Sequence, residues 1–110
     1  MINIKELRGI KIIFEIFVEF IPSGVTFGII EGDTITWKKS SNSFDMDIFS
    51  IGEKLDYNSI QLMSIREKKV LTKKITDSVS GIPLTIISIP ITGEDDNVNG
   101  AFFIGFKRVH

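Results

Sequence analysis

The sequence has no cysteine, so disulfides, thiolate metal sites and cysteine nucleophiles are all excluded. Its only histidine is the last residue, His110, which leaves no histidine for a Ser-His-acid triad or a multi-histidine zinc site. The chain also lacks an excess of either charge: 13 Lys and Arg stand against 14 Asp and Glu. Without a net basic field, nucleic acid is not an expected partner. Long uncharged apolar runs are absent as well. Ile10 to Ile21 comes nearest, but it contains Lys11, Glu15 and Glu19, and a membrane span needs about 20 mostly apolar residues. Those same charges argue against a signal peptide, so membrane insertion is not expected and the chain reads as cytoplasmic. Prolines are few and scattered (Pro22, Pro83, Pro90), and no repeat, Pro-rich linker or phosphate-binding glycine loop occurs. What remains is 110 residues, 43% hydrophobic, with nine Phe. That is enough for one ordered domain over residues 1–110 and too little for two.

From Ile4 to Ile21, apolar residues recur every three or four positions, the spacing of a helix, and Pro22, Ser23 and Gly24 end it. At about 100° per residue, Lys5, Arg8, Lys11, Glu15 and Glu19 fall in one narrow stripe while apolar side chains fill most of the remaining circumference. One sheet cannot cover that much apolar surface. A loop or the last strand could fold over the surplus; a second copy of the chain is the favoured cover, through Ile10, Ile13, Phe14, Phe17 and Phe20. Beyond the helix, Val25–Ile30 and Thr34–Lys38 flank Glu31-Gly32-Asp33 and predict a β-hairpin. Residues 39–54 predict a polar loop, and Asn58–Lys68 a second, weakly amphipathic helix with Asp56 as its N-cap. Three strands follow, Val70–Thr76, Pro83–Thr92 and Gly100–Arg108, with turns at Ser80-Gly81 and Gly93–Asn99. Only the stretch between Lys38 and Val70 is long enough for a crossover. The expected fold is therefore α+β: a five-stranded antiparallel sheet, a long N-terminal helix over residues 1–22, and a core over 24–110 containing a helical crossover, with both helices on one side.

This order of elements resembles the PAS and Cache superfamily of sensor domains, more narrowly the small input domains at the front of some clostridial-type methyl-accepting chemotaxis proteins. The similar strings are Pro22-Ser23-Gly24-Val25-Thr26-Phe27-Gly28 leading into Trp37-Lys38-Lys39, then Ile65-Arg66-Glu67-Lys68-Lys69-Val70-Leu71-Thr72. Gly81-Ile82-Pro83-Leu84 with Ile87-Ser88-Ile89-Pro90-Ile91 follows, closed by Asn97-Val98-Asn99-Gly100-Ala101-Phe102-Phe103. Asn99 departs from the pattern, which has an apolar or small residue there. The resemblance implies an input module that captures a small molecule and biases a downstream signalling domain. That output module would follow in a longer chain or belong to a separate protein, with Lys107 to His110 leading into a connecting helix.

A crossover helix over a curved sheet can leave a ligand pocket between the two. The candidate lining residues are Trp37, Phe44, Tyr57, Met63, Arg66, Thr72 and Lys74. Arg66 could fork onto a carboxylate, and Trp37 or Tyr57 could stack on a ring or cation. Each has a plainer role: the aromatics and Met63 as core, Arg66 paired with Glu67 or Asp56. Gly93-Glu94-Asp95-Asp96-Asn97 lacks the alternating ligand spacing of a calcium loop and reads as a solvated turn. Asp45 and Asp47 sit among serines and read as polar surface. No base or nucleophile suggests an enzyme, and no residue pattern identifies a cofactor. The two readings carried forward are a ligand-sensing module and a ligand-free dimerisation module; Tyr57, Arg66 and Lys74 in solvent over a filled apolar interior would favour the second.

Overall fold

The computed structural model describes residues 1–21, 24–41, 50–76 and 81–107. Phe44, Asp45, Asp47, the Pro22-Ser23 helix stop, Ser80 and His110 lie outside them. The elements are α1 (Ile4–Phe17), β1 (Val25–Glu31), β2 (Thr34–Ser40), α2 (Ile60–Glu67), β3 (Leu71–Thr76), β4 (Pro83–Thr92) and β5 (Val98–Lys107). All five strands form one sheet in the order β2-β1-β5-β4-β3, every neighbouring pair antiparallel. No helix among the described residues is long and apolar enough to cross a membrane.

α1 starts on a capping box. The Asn3 side chain accepts the Lys5 amide at 2.9 Å, and Glu6 reaches back to the Asn3 amide. The Asn3 Nδ2 also donates to Thr92 Oγ1 at 3.1 Å and to the Gly93 carbonyl at 2.7 Å, so the helix start is tied to the β4–β5 hairpin. The helix stops at Phe17 rather than the expected Ile21, and Glu19 and Phe20 continue in tight turns onto the Ile16 and Phe17 carbonyls. Glu15 and Glu19 face the negative end of the helix dipole, and the residue before Pro22 disfavours helical backbone, so nothing prolongs the helix. α2 is likewise shorter than expected. Ser59, not Asp56, caps it by accepting the Leu62 amide, and Lys68 closes it in the left-handed conformation at φ 55°.

The helices lie on opposite faces of the sheet, which corrects the expectation that both sit on one side. Ile4, Leu7, Phe14 and Val18 pack on Phe27, Ile29, Ile91 and Phe102. Ile60, Leu62 and Ile65 pack on the other face, against Ile30, Leu84, Ile86 and Phe103. The inner strands carry the reason. β1 is buried at six successive positions, the pattern of a strand covered on both faces rather than of one alternating between core and water.

A bulge in the first hairpin has a further consequence. Ile30 pairs with Ile35, but Ile29 pairs with Trp37, so one extra residue intervenes on β2. Ile35 consequently faces α2, whereas Trp37 is switched to the α1 face, its ring 6.3 Å from that of Phe14.

Candidate ligand site beneath the crossover helix

On the α2 face the sheet is not uniformly apolar. β4 places Ser88 within an apolar run, fully buried. Above it Ser64 of α2, also fully buried, meets the Ser88 hydroxyl at 2.8 Å and bonds its own Gln61 carbonyl at 2.8 Å. Gln61 lies one helical turn before Ser64 and so shares its face. Its side chain is 1% exposed, and its Nε2 has no hydrogen-bond partner among the described residues. On β1 the same face carries buried Thr26, whose Oγ1 lies 2.9 Å from Ser40 Oγ. It also carries Gly28, where a side chain would collide with the Phe103 ring. A buried amide donor without an acceptor costs about 1–3 kcal/mol. The arrangement is thus a hydrogen-bonded serine pair beside one amide that can donate to a further acceptor.

Of the residues anticipated to line a pocket, Phe44 lies outside the described residues, and Met63 and Thr72 share a groove at the edge of α2 that the other described ones do not line. Trp37 is on the far face, as described. Tyr57 is 66% exposed; the Arg66 guanidinium stacks 3.7 Å from its ring centre and donates to its carbonyl at 2.7 Å. Arg66 is therefore held by Tyr57 and not by Glu67 or Asp56. Thr72 and Lys74 are exposed and pair with Ile87 and Thr85, which puts their side chains on the sheet face away from α2. Met63 lines a shallow outer groove of about 280 Å³ with Asn58, Ile60, Leu71, Lys73 and the rim residue Thr72. Tyr57 and Arg66 are brought together, as are Met63 and Thr72, but both pairs are outside the covered face. Gln61, Ser64 and Ser88 had a faint signal in the sequence: two polar residues three apart in a short helix, and a serine interrupting the run Ile86-Ile87-Ser88-Ile89.

The five residues expected to form a dimer face divide. Phe14 turns onto the sheet, its ring 5.0 Å from Phe27 and 4.8 Å from Phe102. Ile10, Ile13, Phe17 and Phe20 are exposed, Phe20 at 74%. The acidic turn is consumed by local bonds. Glu94 pairs with Arg8, which also bonds Glu31 at 3.1 Å, and Asp96 accepts from Asn3 at 3.1 Å. Hydrogen bonds from the Asn97 side chain and amide hold the Asp95 carboxyl below its usual range.

No protein-family model matches the sequence, and neither does any curated protein. Among solved structures the chain is similar to a sensory box sensor histidine kinase from Vibrio cholerae, with a TM-score of 0.55 at 12% identity over 96% of this chain and 97% of that one. It is also similar to the ligand-binding domain of an amino acid chemoreceptor from Pseudomonas aeruginosa PAO1 in complex with GABA, with a TM-score of 0.46 at 14% identity. That match covers 77% of this chain, which spans about a third (35%) of the receptor domain. At 12% identity the first likeness is one of architecture, and together with the strand order β2-β1-β5-β4-β3 it gives the chain a PAS/Cache-like α+β fold.

Proposed function

We propose that the chain is a signal-input domain that captures a small molecule beneath α2 and passes a conformational bias to a downstream signalling domain, of a chemotaxis receptor or another output. The observation that carries this reading is the Gln61 amide, buried and unpartnered among the described residues beside the Ser64–Ser88 pair. A ligand with a carbonyl, carboxylate or ring-nitrogen acceptor would satisfy it. Binding alone performs this role, so no catalytic group is required. The bias can be no larger than the ligand's difference in affinity between the two arrangements.

A second reading, a ligand-free dimerisation module, is favoured by a different observation. Tyr57, Arg66 and Lys74 all face solvent, and the outer side of α1 is apolar and uncovered among the described residues. The two readings separate in a thermal-shift screen across amino acids, organic acids and purines. A sensor gains about 2.7 kcal/mol from ligand at 100 times its dissociation constant. If no compound in the panel moves the midpoint, the dimerisation reading stands in its place.

A further inference from the structure

The outer face of α1 and the turns that follow it present Ile12, Ile13, Ile16, Phe17 and Phe20 to solvent, with a groove of about 130 Å³ between Ile13, Ile16, Phe17 and Phe20. Along one flank of this face runs the charged stripe, and its order matters. Lys5, Arg8 and Lys11 come first, then Glu15 and Glu19. Basic residues early and acidic residues late oppose the helix dipole, so the order does not serve α1 itself. Among the described residues Arg8 alone of the five is ion-paired within the chain, to Glu31 and Glu94. Gly9 adds a second oddity. It is exposed in mid-helix, and a Cβ there would meet nothing within 4 Å, although glycine disfavours a helix relative to alanine.

We infer that α1 pairs with α1 of a second copy in antiparallel orientation, Lys5 and Lys11 of each copy facing Glu19 and Glu15 of the other. The geometry commits to this orientation. In an antiparallel two-fold pair the same flank of both helices meets, so a stripe that runs from positive to negative is its own complement. In a parallel pair the stripe would instead meet the opposite flank, Glu6, Ile10 and Phe17. Flanking charges of this kind choose partner and orientation, while the apolar face supplies attraction. The same register sets Gly9 opposite Ile16 of the second copy, where the missing side chain leaves room for a bulky one, and the two dipoles oppose each other. This rests on the reading of α1 as a self-association face and holds for either proposed function.

The test is sedimentation equilibrium on the purified chain, whose monomer is 12.4 kDa. Wild type is expected at twice that mass. Lys5→Glu with Lys11→Glu should be monomeric, as should Glu15→Lys with Glu19→Lys, each retaining the wild-type far-ultraviolet circular dichroism. An equimolar mixture of the two should regain the doubled mass. Because the chain has no native cysteine, Ile13→Cys, near the proposed two-fold axis, should form a disulfide dimer on oxidation and Phe20→Cys should not. A wild type monomeric at millimolar concentration, including one that instead binds phosphatidylcholine vesicles, overturns the self-association face altogether. A stable dimer indifferent to charge reversal, or cross-linked through Phe20→Cys, overturns only the antiparallel pairing.

Discussion

Gln61 and Gly28 show how single residues bear on the stability of the α2 face. Gln61 buries an amide donor with no acceptor among the described residues. Gln61→Leu removes that donor at similar volume and is expected to leave stability unchanged or raise it by up to about 1–3 kcal/mol in urea unfolding without ligand. A loss of several kcal/mol would mean that the amide has a structural partner after all. Ser64→Ala acts in the opposite sense, because it leaves the Ser88 hydroxyl buried without its partner, and should cost about 1–3 kcal/mol in the same assay. Gly28 is required by contact and not by backbone conformation: a methyl group there runs into the Phe103 ring. Gly28→Ala is expected to destabilise by about 1–3 kcal/mol through overpacking, and an unmoved urea midpoint would contradict the placement of that ring.

At the scale of elements, the strands and both helices were legible because their cues are local. Apolar spacing located α1, Gly32 the first turn and Gly93–Asn99 the second, and short connections dictated antiparallel neighbours. Two features were not legible. The bulge that moves Trp37 to the α1 face depends on a single unpaired residue, and alternation read straight along Ile35-Thr36-Trp37 places both large side chains together. The side on which each helix lands depends on β1, β4 and β5 being buried on both faces, a long-range outcome that periodicity within one strand cannot assign. The buried Gln61 amide and the Ser64–Ser88 pair were not read from the sequence for a related reason. Large and charged residues draw attention in a sequence, yet Tyr57, Arg66 and Lys74 stay in solvent, while short polar side chains on two distant elements meet under α2. Anchoring of α1 gives a prediction at this scale. Asn3 both caps the helix and bonds the β4–β5 hairpin, so Asn3→Ala should cost about 1–2 kcal/mol and speed amide exchange in the first turn of α1. Exchange rates equal to wild type would show that the cap is not what holds the helix start.

For the whole molecule, the sheet separates two surfaces: a face covered by α2, where the proposed ligand would meet the Gln61 amide, and α1 on the other side, whose exposed apolar face is where the proposed second copy would pack. β5 joins them physically. Phe103 packs among the α2-side residues, and its neighbour Phe102 packs against Phe14 of α1. On the proposed sensor reading, a ligand that shifted the sheet beneath α2 would act on residues that also seat α1.

The most direct measurement is titration calorimetry of a stabilising compound from the metabolite screen against wild type, Gln61→Leu and Arg66→Ala. The account predicts saturable binding to wild type and to Arg66→Ala, because the wild-type Arg66 guanidinium is engaged on the outer surface by Tyr57, and loss of binding in a folded Gln61→Leu. Equal affinity for wild type and Gln61→Leu, or loss through Arg66→Ala instead, would contradict it.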